Sequence, residues 1–158
     1  MMDGFEIMRI LNSRYGIDKT MDLLCGDFLG HGIHRNVYAA RDNDKYVVKV
    51  ERDISAQNFT NIREYNNWND YKSWRWFAKY LAPCFLINDS GTILIQQRAE
   101  LRKREEYPIF IPGMFTDVKI DNFGWIGKQF VCIDYSLIPA WNKGKMKRAN
   151  WDKHGIYK

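Results

Sequence analysis

Four polar residues late in the chain, Asp117, Lys119, Asn122 and Asp134, have the types and spacing needed to handle a metal–phosphate complex. They bracket two apolar runs, Phe123-Gly-Trp-Ile126 and Phe130-Val-Cys-Ile133. Gly127-Lys128 joins the runs and reads as a tight hairpin turn. Such a hairpin returns its far end to its near end, so Asn122 and Asp134 are expected side by side. An amide and a carboxylate at adjacent strand ends form an oxygen-rich seat for a hard cation such as Mg²⁺. Asp117, on the loop before them, can orient a hydroxyl or take its proton, and Lys119 can meet a phosphate.

Two earlier stretches carry residues of matching chemistry. Phe28-Leu-Gly-His-Gly-Ile-His-Arg-Asn-Val-Tyr-Ala-Ala-Arg41 reads as strand, glycine turn, strand, with a further turn at Asp42-Asn43-Asp44. Gly30 and Gly32 would let backbone lie close over a phosphate chain, although hairpin turns also use Gly-x-Gly. Tyr46-Val-Val-Lys-Val50 is a third strand. Lys49 within it either points into a cleft or pairs with an acid, because a buried unpaired ammonium is too costly; the competing reading is an edge-strand lysine facing water. His31 and His34 read as solvent-facing loop residues.

These stretches resemble, in order, the signatures of the protein-kinase-like superfamily: a glycine-rich loop, a strand lysine, a helix glutamate, an Asp-x-Lys-x-x-Asn loop and a strand-end Asp. The resemblance implies ATP and Mg²⁺ as ligands. It assigns Gly30, Gly32 and Val37 to the cover over the nucleotide, Lys49 to the phosphates and Glu64 to holding Lys49. Asn122 and Asp134 become the metal ligands and Asp117 and Lys119 the catalytic pair. The backbone of 96–100 becomes a hinge for adenine. Arg35 departs from the pattern, standing where the family has a third glycine, and implies either a direct phosphate contact or a loosened lid. Phe115-Thr116 replaces the usual His-Arg, and Tyr135-Ser136 replaces Phe-Gly. The likeness covers roughly residues 27–137 and is closest in layout to compact bacteriophage-encoded kinases. It implies a phosphotransferase acting on a hydroxyl, with a protein substrate or host partner. A pseudokinase-like binding module is the alternative, and a small basic nucleic-acid binder a third reading.

The remaining segments must position those residues. Asp3 is expected to cap a helix carrying Ile7, Ile10 and Leu11, closed near Gly16. Asp18 is expected to cap a second, carrying Met21 and Leu24 and closed at Gly26; both should pack on the following sheet. Residues 54–80 are helix-compatible, with Ile62, Tyr65 and Trp68 as the expected buried stripe. Glu64 is the only acid between Asp53 and Asp70, and its competing reading is an ordinary surface glutamate. Trp74, Trp76 and Phe77 read as core. Phe85 to Gln96 forms a hairpin turning at Asn88–Gly91, which brings the expectation to five strands around one helix. Arg102 to Glu106 reads as a solvated turn, and Tyr107 to Met114 as a connector.

The expected fold is therefore α+β: a kinase-like five-stranded antiparallel N-lobe sheet with one main helix, a much reduced C-lobe, and N-terminal helices. The 158 residues suit one domain. It would divide into helices (1–26), N-lobe (27–100), reduced C-lobe (101–137) and basic tail (138–158). The tail carries Trp141 and Trp151 among Lys143, Lys145, Lys147, Arg148 and Lys153; packing of the rings is favoured over nucleic-acid binding. A 46% hydrophobic content argues against low-complexity disorder, and a net charge of +5 suits an anionic ligand. Cys25, Cys84 and Cys132 are odd in number and lack Cys-x-x-Cys, which disfavours a disulfide frame or zinc site and points to a reducing cytoplasm. No signal peptide or membrane-spanning apolar run is visible.

Overall fold

The computed structural model describes residues 1–53, 58–138 and 144–151. The fold is α+β, and the chain forms two compact units: Met1–Tyr65 with Pro83–Arg98, and Asn66–Ala82 with Ala99–Lys158.

The first unit begins with two helices, α1 (Gly4–Leu11) and α2 (Ile17–Leu24). The Asp3 carboxylate accepts the Glu6 N–H at 2.8 Å, satisfying a donor the first turn cannot. Ile7, Ile10 and Leu11 are buried, at the spacing that puts them on one helical face. The cap of α2 is Gly16; Asp18, expected in that role, instead occupies the first turn, where its charge still meets the positive helix end. Helix α2 runs directly into strand β1 (Cys25–His31), with no break at Gly26.

Strands β2 (Arg35–Ala40), β3 (Asn43–Glu51), β4 (Cys84–Ile87) and β5 (Ile93–Gln97) complete a sheet of order β1-β2-β3-β5-β4, antiparallel throughout. Val48, Val50, Ile93 and Ile95 form the core with α1 and α2. Alternation along β3 then sends Lys49 and Glu51 to the opposite face. There they meet helix α3 (Thr60–Tyr71). Because that sheet face is polar, the inward face of α3 is polar too. Asn61 and Glu64 are buried, while Ile62, Tyr65 and Trp68, the stripe expected to be buried, are only half-buried.

The second unit contains α4 (Arg75–Ala78), β6 (Phe110–Pro112), β7 (Phe123–Ile126), β8 (Gln129–Cys132) and β9 (Met146–Arg148). Its core is aromatic. Phe123 stacks on Phe130 with ring centroids 5.3 Å apart, and Phe77, Phe115, Tyr107 and Trp151 meet edge-on or tilted around them. Phe77 is fully buried, but Trp76, also expected in the core, is exposed. Strand β9 pairs with β6, and Trp151 donates its Nε1–H to the Pro108 carbonyl at 2.9 Å. Tail packing is thus observed for Trp151; Trp141, Lys143 and Lys153 lie outside the described residues. The Lys147 ammonium bonds the Phe115 carbonyl, and burial lowers its pKa. All three cysteines are buried. Among the described residues no helix is long and apolar enough to cross a membrane.

The turn between β4 and β5 buttresses α3. Gly91 has φ +73°, and a Cβ there would lie 2.4 Å from Ile62 Cγ1. Gly91→Ala therefore combines left-handed strain with overpacking, and should cost about 2–4 kcal/mol in chemical denaturation. A loss below about 0.5 kcal/mol would contradict this contact.

Candidate functional site

Sheet register decides which residues share a neighbourhood in the first unit. Gly30 pairs with Val37, Val37 with Lys49, and Lys49 with Leu94, so one row crosses four strands. Directly opposed residues share a face. Gly30, Val37 and Lys49, separated by up to nineteen positions in sequence, are thus consecutive neighbours across the sheet. Among the described residues, no atom beyond the chain neighbours lies within 4 Å of where a Cβ on Gly30 or Gly32 would stand, so the turn leaves open space above its backbone.

Lys49 is 4% exposed and Glu64 fully buried, and the Lys49 ammonium meets Glu64 Oε1 at 2.5 Å. The edge-strand and surface-glutamate readings of these two residues are thereby overturned. The same carboxylate takes a two-pronged grip from Arg35: Nη1 donates to Oε1 at 3.1 Å and Nη2 to Oε2 at 3.0 Å. Gln96 Nε2 adds a longer bond to Oε1 at 3.3 Å. Arg35 is 5% exposed. Neither expectation for it holds, because its guanidinium turns inward to Glu64 rather than outward to a phosphate, and it ties the strand rather than loosening it.

Asn61 completes the network. Its backbone N–H donates to Glu51 Oε1 at 2.7 Å, its Nδ2 to the Lys49 and Thr92 carbonyls at 3.1 Å, and its Oδ1 accepts from Arg35 at 3.2 Å. One side chain thus joins α3 to β3 and to the turn before β5. Burial pushes the Glu64 carboxyl pKa upward, but the Arg35 guanidinium and Lys49 ammonium outweigh it and hold the value at about 2.

Arg35 and Asn61 are residues that sequence reasoning missed in this role. The parity of β2 held a signal: Arg35 lies directly opposite Glu51 and two positions from Val37, hence on the Lys49 face. Asn61 stands three residues before Glu64, on the same side of the helix.

In the second unit the hairpin forms as expected. Phe123 pairs with Cys132 and Ile126 with Gln129, leaving the two-residue turn Gly127-Lys128, with Gly127 at φ +59°. The Ile133 N–H continues the ladder to the Asn122 carbonyl at 2.8 Å, which places Asp134 at the next position along that strand end. Asn122 Nδ2 donates to both the backbone carbonyl and Oδ2 of Asp117 at 3.0 Å. That leaves Asn122 Oδ1 as the atom suited to meet a cation. Lys119 Nζ lies 3.2 Å from the Asp117 carboxylate, and both side chains are about half exposed.

Asp134 is exposed, but the residue after it is anchored. Tyr135 is 2% exposed, donates its hydroxyl to the Ala82 carbonyl at 2.5 Å, and has its own carbonyl bonded by Asn67 Nδ2 at 2.8 Å. Among the described residues no group of three or more His, Cys, Asp or Glu could hold a metal ion. A cation at Asn122 and Asp134 would therefore draw further oxygens from water or a phosphate ligand.

The stretch expected to act as a hinge is largely committed within the protein. Gln96 and Gln97 belong to β5, and the N–H groups of Gln97, Arg98 and Glu100 bond the carbonyls of Pro83, Lys45 and Trp125. No protein-family model matches the chain, and no curated protein matches it.

The network predicts an ordering of costs. Glu64→Gln leaves Arg35 and Lys49 buried without their shared carboxylate and should destabilise by about 3–5 kcal/mol. Lys49→Met leaves Glu64 gripped by Arg35 and should cost less, about 1–2 kcal/mol. Because the folded pKa lies below the ordinary 4.5, Glu64 contributes stability that is present above pH 4.5 and lost as pH falls towards 2. Glu64→Gln should flatten that acid limb in urea titrations, and equal costs for the two variants would contradict the shared-carboxylate arrangement.

Proposed function

We propose that this chain is an ATP-dependent phosphotransferase of the protein-kinase-like kind, moving the γ-phosphate to a hydroxyl carried by a protein. The observation that carries the reading is the buried Lys49–Glu64 pair, with Gly30 and Val37 in the same row of a five-stranded antiparallel sheet. A strand lysine whose head is fixed by a buried carboxylate is suited to neutralise phosphate oxygens at a set position. In this reading Gly30, Gly32 and Val37 cover the nucleotide, Lys49 meets its phosphates and Glu64 fixes Lys49.

In the second unit, Asn122 and Asp134 would hold Mg²⁺, which would supply positive charge against that of the phosphates. Asp117 accepts the hydrogen bond of the acceptor hydroxyl, and Lys119 steadies the transferring group. The second unit takes the place of a reduced C-lobe, and the protein works in a cytoplasm, that of the host if it is phage-encoded.

A binding module that grips ATP and modulates a host protein is the second reading. Commitment of Trp151 to the aromatic core weighs against a nucleic-acid stacking role for that ring.

Incubation with γ-labelled ATP, Mg²⁺ and mixed acceptor proteins should show label transfer. Asp117→Asn and Asp134→Asn should each reduce it by about 100-fold or more. Both side chains are exposed, so Tm should hold within about 2 °C. ATP with Mg²⁺ should raise the wild-type Tm by several degrees. A Tm shift without transfer selects the binding module, and neither effect ends both readings.

A further inference from the structure

Arg35 is the first residue of β2, and its carbonyl accepts the Gly32 N–H at 2.8 Å, closing the glycine turn. Its side chain runs from the foot of that turn to α3, where it grips both oxygens of Glu64 and touches Asn61. The charged groups around it balance, with Glu51 opposite on β3, Glu64 on α3 and the Lys49 ammonium on the shared Oε1. Glu64 consequently has a two-bond cationic partner besides Lys49. A carboxylate held by one flexible lysine can swing with it, whereas one held by a planar fork has both oxygens fixed.

We infer that Arg35 is a positioning residue: it fixes Glu64 at the foot of the glycine turn, and through Glu64 it fixes the Lys49 ammonium, with no ligand or partner needed to assemble the pair. The turn and helix α3 are thereby joined through one carboxylate, so that movement of the turn is felt at Lys49. The catalytic consequence rests on the phosphotransferase reading; the placement of Lys49 does not.

The test uses the full chain labelled with ¹⁵N-lysine. The Lys49 ammonium resonance is assigned by its loss in Lys49→Met. In the wild type, burial and the Glu64 bond should make this resonance visible and slow to exchange with water. In Arg35→Lys, which keeps the charge and loses the fork, it should shift and exchange on the order of tenfold faster, with the backbone spectrum otherwise retained. Arg35→Gln serves as the second variant, expected to give the same change. The functional arm measures affinity for a fluorescent ATP analogue with Mg²⁺. Arg35→Lys should weaken it several-fold in the wild-type background and not at all in the Lys49→Met background, the non-additivity expected of a residue acting through Lys49. A Lys49 resonance unchanged in both Arg35 variants overturns the inference, as does an equal loss of affinity in both backgrounds. If the wild type binds no nucleotide, the phosphotransferase reading falls, and the exchange measurement alone still decides the role of Arg35.

Discussion

The Glu64 carboxylate is the constraint on which the first unit turns. Removing a carboxylate, a guanidinium and an ammonium from water costs several kcal/mol for each ion, and only close, well-directed bonds return it. Here Oε1 and Oε2 receive bonds from three side chains on three strands. The arrangement is compatible with one register only. A one-residue slip of β3 would turn Lys49 towards α1 and α2, among Ile93, Ile95 and Ile10, where an ammonium has no partner. The network therefore selects a structure at least as much as it stabilises one, and the same selection leaves Val37 and Gly30 beside Lys49.

The second unit holds its polar residues by a different device. Asp117 and Lys119 are exposed, but Phe115, Val118 and Phe123 beside them are buried, so the loop is pinned at alternate points. Asn122 acts as the knot: its backbone closes the hairpin on Ile133 while its side chain closes the loop on Asp117. Tyr135 pins the other strand end through Ala82. The loop thus carries exposed polar groups between buried anchors. The surface pair between Lys119 and Asp117 adds little stability by itself, so either residue can give up its partner to a ligand at small cost.

Much of this was legible in the residues. The hairpins at 88–91 and 127–128 carry glycine at positive φ, and strand periodicity placed Lys49 opposite the apolar face. The cap at Asp3 follows from local chemistry alone. What was not legible depends on contacts distant in sequence. Ile62, Tyr65 and Trp68 have the spacing and the apolar character of a buried stripe, but α3 faces a charged sheet surface, and burial follows the partner. Arg35 stands in a stretch whose local composition is that of a turn, and its actual partner is 29 positions away. The pairing of β9 with β6 links two segments that each read as irregular, with no periodicity in three residues to announce a strand. Trp76 and Phe77 are adjacent and both aromatic, and only the helical turn they occupy decides which of them faces inward.

The burial of the cysteines gives the fold a set of built-in reporters of its own breathing. Cys25 and Cys84 lie in the first unit and Cys132 in the second. Burial pushes the Cys25 thiol up to about 11, so it is scarcely nucleophilic while its strand is in place. A thiol reagent can then modify the chain only during transient opening, at a rate set by how often each segment comes apart. Comparison of alkylation at Cys25 and Cys132 would time the loosening of the two units separately, with no substitution in the chain.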